Sequence, residues 1–245
     1  MVEEVVIIDA RRTPIGKYHG SLKKFSAVAL GTAVAKDMFE RNQKIKEEIA
    51  QVIIGNVLQA GNGQNPARQV ALQSGLSVDI PASTINEVCG SGLKAILMGM
   101  EQIQLGKAQV VLAGGIESMT NAPSLSHYNK AEDTYSVPVS SMTLDGLTDA
   151  FSSKPMGLTA ENVAQRYDIS REAQDQFAYQ SQMKAAKAQA ENKFAKEIVP
   201  LAGETKTITA DEGIRSQTTM EKLASLKPVF KTDGTVTAGK ASTIN

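Results

Sequence analysis

The 245-residue chain carries 26 basic and 26 acidic side chains, with 42% apolar and 21% charged residues. A formal net charge of zero leaves no broad basic surface for nucleic acid, and the apolar share is that of a soluble globular chain rather than a disordered one. One cysteine excludes an intrachain disulfide and a cysteine-cluster metal site, and two distant histidines, His19 and His127, argue against a histidine-bound zinc. No metal is expected, and the reducing cytoplasm is the expected compartment.

The N-terminal stretch VEEVVIID is acidic where a targeting peptide would be basic, and no apolar run reaches membrane-spanning length. Neither a targeting segment nor a membrane contact is expected. Val5–Ile8 reads as a continuous apolar strand, and Ser26 caps a helix running to about Arg41. The mixed charges of Lys44–Glu48 read as a solvated helix face, and Gln51–Val57 as a second strand. Asn65-Pro66 places an N-cap before a proline at the first helical position, and that helix stops at Gly75, where a left-handed cap belongs. A strand over 82–88, a turn at Cys89, a helix over 93–105 and a strand over 108–113 complete an alternation of strands and helices. Such a pattern implies an α/β fold, a mixed sheet with helices on both faces.

The texture changes near Gly114. Residues 120–158 are rich in Ser, Thr, Asn and Pro and read as a loop excursion, interrupted later by a long helix from Ser170 to about Asn192. The tail from Thr235 starts as another strand. Gly114-Gly115 before Glu117 lacks the spacing of a phosphate loop and reads as turn glycines. The expected division is an N-terminal α/β domain over 1–118, a loop subdomain over 119–234 and a return to the first domain over 235–245.

Chemistry concentrates at the single cysteine, in NEVCGSGLKA. Strand, sharp turn and apolar helix place Cys89 at or beside a helix N-terminus, where unpaired N–H groups and the helix dipole favour a thiolate over a thiol. Gly90 and Gly92 let the backbone turn tightly and let a substrate carbonyl approach main-chain donors. Spacing alone leaves two readings open: an acyl-accepting nucleophile, or a small buried hydrophobe.

The segments RRTPIGKYHGSL, GNVLQAGNGQNPARQVAL, NEVCGSGLKA, AGGIESMTNAP, DGLTDAF, MGLTAENVA and TVTAGKAS, in this order from end to end, resemble the thiolase family, most closely the biosynthetic acetyl-CoA acetyltransferases. The resemblance implies the first half of a duplicated thiolase-like α/β fold with an inserted loop subdomain that covers coenzyme A. It implies a reversible, ping-pong Claisen condensation of two acetyl-CoA molecules to acetoacetyl-CoA through an acetyl-Cys89 intermediate. No permanently bound cofactor is implied, and a coenzyme A thioester is the substrate. Carried over by motif, Leu147 and Met156 would line the pantetheine channel, Arg215 would lie by the adenosine end, and Phe230, Ala238 and Ser242 would complete the groove. The family context further suggests short acyl chains, a role feeding isoprenoid (mevalonate) or polyester synthesis, and a homo-oligomer, dimer or tetramer.

Two positions depart from the family pattern. Pro155 replaces a histidine before Met-Gly, clouding the acyl preference, and Lys240 replaces the asparagine of AGNAS, where it is expected to point to solvent. The complete catalytic set of the family also needs a histidine and a second cysteine from its second half. Neither is visible: there is no second cysteine, and His19 and His127 read as exposed loop residues. The chain is therefore expected to be the N-terminal portion of an acetyl-CoA acetyltransferase, truncated or split, and inactive alone. The other reading is a non-catalytic module that binds acyl-CoA or partners another thiolase-like chain.

Overall fold

The computed structural model describes residues 4–245; residues 1–3, which begin the acidic N-terminal stretch, lie outside the described residues. The chain forms two compact units. One runs up to Gly146 and takes back Glu197–Thr209 and Asn245; the other comprises Leu147–Lys196 and Ala210–Ile244.

The first unit is built on a sheet of three parallel strands, β1 (Ile49–Gly55), β2 (Ala82–Ile85) and β3 (Val110–Gly115), in the order β2-β1-β3. Side chains alternate across a strand, so β1 serves both faces. Val52 and Ile54 join a core with helix α1 (Ala27–Arg41) and helix α3 (Pro66–Gln73), whose Val28, Phe39, Val70 and Ala71 are all buried. On the opposite face lies α4 (Ser91–Gln104), whose buried Ala95 and Gly99 let the helix approach; Gly99 lies against Val111 and Ala113 of β3. Helices thus cover both faces of a buried parallel sheet. The far side of α4 is apolar and uncovered, with Leu93 64% and Ile96 43% exposed.

Local chemistry sets these elements where expected. The Ser26 hydroxyl accepts the Ala29 N–H and caps α1, Asn65 accepts from Arg68 ahead of Pro66, and Gly75 adopts φ +86° after α3. A short helix α2 (Gln43–Glu48) has no buried residue, as its charges imply.

Three sequence expectations are corrected. Val5–Ile8 forms no strand: Val6, Ile7 and Ile8 are exposed, and a strand exists only where a neighbour takes its hydrogen bonds. The segment from Thr235 is likewise not a strand, making one bridge between Pro228 and Thr237. The strand expected over 82–88 stops at Ile85, where the chain enters the Cys89 turn. Packing also divides the chain differently from cuts at 119 and 235. Asn121 binds the Lys23 and Phe25 carbonyls and Leu201 and Ile208 pack with Leu22 and Leu30, which ties 119–146 and 197–209 to the first unit.

The loop-rich segment carries two short antiparallel ladders, 124–125 with 139–140 and 128–129 with 134–135, and a π-helical turn at Met142–Leu147. The second unit holds α5 (Met156–Arg166), a helix the sequence reading did not mark, α6 (Arg171–Ala190), capped by Ser170 as expected, and the short α7 (Met220–Ala224).

Candidate active site

Cys89 stands in the turn between β2 and α4 and is exposed, so the reading of a sealed hydrophobe does not hold. The turn is closed by hydrogen bonds from Gly90 N–H to the Glu87 carbonyl (3.1 Å) and from Ser91 N–H to the Val88 carbonyl (3.1 Å). The Ser91 hydroxyl accepts the Glu87 N–H (2.8 Å) and donates to the Val88 carbonyl (2.6 Å). Val88, immediately before the thiol, has φ +50°, a left-handed conformation costly for a β-branched residue, about 1–3 kcal/mol. The Asn86 side chain accepts the Val88 N–H at 2.8 Å and helps to hold it there.

Cys89 directly precedes Gly90, the N-cap of α4, which offers no side-chain capping bond, and the first turn of α4 holds no acid. The positive helix end is left to whatever negative charge develops beside it. Small residues make the close approach possible. A Cβ on Gly55 would come 2.5 Å from the Ser91 carbonyl carbon, and one on Gly115 would come 3.1 Å from Gly92 Cα. The ends of β1 and β3 therefore abut the first turn of α4.

Just past the ends of β1 and β3 lies a polar pair that the sequence reading passed over. Glu117 accepts the N–H groups of Val57 (3.0 Å) and Leu58 (3.3 Å) and the Asn56 amide (3.0 Å), and Asn56 also donates to the Ile116 carbonyl (3.2 Å). Burial pushes the Glu117 carboxyl above its ordinary value, and the backbone N–H groups and Asn56 offset that in part. The pair ties the segment after β1 to the segment after β3. Its signal was the Glu that follows Gly114-Gly115, read there as turn chemistry alone.

The other carried-over residues all belong to the second unit, whereas Cys89 belongs to the first. Met156 begins α5 and is exposed, and the Phe230 ring covers Gly157 beside it. Leu147 ends the π-helical turn and is half-buried, and Arg215 is exposed, its backbone N–H donating to Gln182 (2.7 Å). Ala238 and Ser242 are exposed on either side of Lys240. Pro155 starts α5 as its N-cap residue in extended conformation. Lys240 is a correction: its side chain is 7% exposed and its ammonium lies 2.8 Å from Asp175 rather than in solvent. The turn at Thr237 draws the lysine inward, and the Asp175 carboxylate offsets the cost of burying it.

His19 and His127 are both exposed, as expected. No group of His, Cys, Asp or Glu among the described residues is arranged to hold a metal, and no described helix is long and apolar enough to cross a membrane.

Residues 5–245 match the profile of a family described as thiolase, N-terminal domain. A probable acetyl-CoA acyltransferase of Staphylococcus epidermidis is 47% identical over 252 residues, covering 100% of this chain and 64% of the relative. A Staphylococcus aureus protein of the same description is 48% identical over 248 residues, covering 98% of this chain and 63% of its own. Among solved structures, human mitochondrial 3-ketoacyl-CoA thiolase in complex with CoA superposes with a TM-score of 0.90 at 42% identity, over 96% of this chain and 60% of that one. The Acat5 thiolase of Ascaris suum in complex with coenzyme A gives 0.89 at 40% identity, over 96% and 61%. The chain thus spans less than two thirds of the length of these proteins.

Proposed function

The chain belongs to the thiolase family, matching its N-terminal domain, and from that premise we propose that it carries the nucleophile of an acetyl-CoA C-acetyltransferase. The observation that supports this reading is the exposed Cys89 thiol beside an uncapped helix N-terminus, held in a turn strained at Val88. In the first half-reaction the Cys89 thiolate attacks the thioester carbonyl of acetyl-CoA. A sulfur–carbon bond forms to Cys89, the bond to coenzyme A breaks, and the departing thiolate takes up a proton. In the second, acetyl-CoA deprotonated at its methyl carbon attacks acetyl-Cys89, giving acetoacetyl-CoA and restoring the thiolate. Covalent catalysis splits one hard step into two easier ones and predicts ping-pong kinetics. Leu147, Met156, Arg215, Phe230, Ala238 and Ser242 are proposed as the coenzyme A contacts.

Proton transfer is the part this chain does not supply. Deprotonating a methyl carbon calls for a positioned base, worth about 10²–10⁴-fold in rate. The chain has no second cysteine, and both histidines are exposed loop residues. We assign the acid/base groups to the further length that full thiolases possess, together with the cover over the apolar face of α4.

Mass spectrometry of residues 1–245 after incubation with acetyl-CoA tests the reading, with thiolysis of acetoacetyl-CoA measured in parallel. One acetyl group on Cys89, absent from Cys89→Ala, with no turnover, is the expected result. A folded chain that takes up no acetyl group would overturn the nucleophile and favour a non-catalytic acyl-CoA-binding module. Turnover by the chain alone, lost in Cys89→Ala, would overturn the missing proton inventory.

A further inference from the structure

The loop from Thr237 to Ser242 alternates in direction: Ala238 and Ser242 are exposed, whereas the Lys240 side chain between them is buried. Local bonds shape the loop. Thr237, fully buried, accepts at its carbonyl the N–H groups of Lys240 (3.2 Å) and Ala241 (3.0 Å), and its hydroxyl accepts the Gly239 N–H (3.3 Å). Those bonds give the loop its form without saying where it sits.

Its location is fixed by a cluster at the start of α6. Lys240 Nζ lies 2.8 Å from Asp175 Oδ1, in an ion pair without an aligned hydrogen bond, and 3.4 Å from the Arg171 carbonyl to which it donates. The other carboxylate oxygen takes Arg171 Nε at 2.7 Å, and Asp175 is only 4% exposed. Arg171 in turn donates to the carbonyls of Leu223 (2.8 Å), Ala224 (3.4 Å) and Leu226 (2.9 Å) at the end of α7. Gly239 rests on the side chains of Leu223 and Leu226, whose methyl carbons would lie 2.6 and 2.7 Å from a Cβ there. The contacts close a ring: loop to α6 through Lys240, α6 to α7 through Arg171, and α7 back to the loop through Gly239. Glu161 adds a more distant negative charge, and burial holds the ammonium below its ordinary pKa against the pull of Asp175.

We propose that Lys240 is a positioning residue for coenzyme A, docking the Ala238–Ser242 loop on Asp175 so that Ala238 and Ser242 face outward as a preset contact surface. The proposal rests on the reading that this loop touches the coenzyme. Removing the ammonium leaves Asp175 paired with Arg171 through its other oxygen, so Lys240→Met orphans no buried charge, and hydrogen exchange over the rest of the chain checks that the variant is folded.

The test uses the 245-residue chain, coenzyme A titrated by calorimetry, and hydrogen exchange followed over 238–242 without ligand. Lys240→Met is expected to weaken coenzyme A binding about tenfold and to speed exchange in the loop, with Lys240→Arg restoring both. Wild-type affinity in Lys240→Met would overturn the proposal, as would unchanged loop exchange, whatever the affinity. A wild-type chain that binds no coenzyme A would instead overturn the assigned contacts and the positioning role with them. The two failures are therefore distinguishable.

Discussion

The Ser91 hydroxyl accepts the backbone N–H of Glu87 at 2.8 Å and so closes the turn on which Cys89 stands. The same oxygen donates to the Val88 carbonyl, so one buried side chain bonds the backbone on both sides of the strained residue. Ser91→Ala removes both bonds and leaves the Glu87 donor without its partner. We expect a stability loss of about 1–3 kcal/mol by chemical denaturation, with a slower rate of acetyl transfer to Cys89 as Val88 relaxes. Equal acetylation rates in the two proteins would mean that the turn needs no such brace.

Gly55 tests the same turn from below. A Cβ there meets the Ser91 backbone at 2.5 Å, and backbone cannot swing aside as a flexible side chain can. Gly55→Ala should destabilise the chain by about 1–3 kcal/mol through overpacking. It should also lower the acetylation rate of Cys89, whereas Gly106→Ala, with open space around its Cβ, should leave that rate alone although its positive φ costs some stability.

Sequence pattern made the first unit readable and the second much less so. Ser26, Asn65-Pro66 and Gly75 mark helix ends by bonds made within a few residues, and they hold in the structure. Val5–Ile8 has strand composition too, but a strand needs a partner, which no local pattern supplies. The position of Cys89 in a strand-to-helix turn was legible because a Gly-Ser-Gly turn ahead of an apolar helix is itself local. Val88 was not, since a positive φ at valine is imposed by Asn86, Ser91 and the abutting strands. Lys240 was misread for a related reason: its partner Asp175 lies 65 residues away in sequence, and an isolated lysine in a polar loop looks like a solvent contact.

At the start of α5, the Phe230 ring lies over Gly157 so closely that a Cβ would overlap three of its carbons. Alanine is the better helix former by about 1 kcal/mol, but overpacking costs about 1–3 kcal/mol and decides the sign. Gly157→Ala should therefore lower stability and displace Phe230. Phe230→Leu in the same chain should recover part of the loss, a coupling that a double-mutant cycle reads directly. Simple additivity would show that the ring and the glycine are not in contact in solution.

Glu161 gives the second unit a pH dependence whose sign follows from its surroundings. Burial by itself would raise its pKa, but the N–H groups of Thr235 and Val236, the Thr235 hydroxyl and the charge of Lys231 outweigh burial and hold the carboxyl below its ordinary 4.5. The N–H bonds are short, 2.8–2.9 Å, and bind the carboxylate form. An acid with a depressed folded pKa contributes stability that is fully present above the unfolded value and is lost as pH falls through the folded one. Glu161→Gln should thus be destabilised by about 2 kcal/mol at neutral pH, in line with bonds to a charged acceptor. The gap from wild type should narrow once the pH drops below 4.5. Denaturation curves for both proteins over that range provide the check. A gap that persists unchanged well below 4.5 would show that the loss of an acceptor oxygen to an amide NH₂ donor, and not the loss of charge, carries the effect.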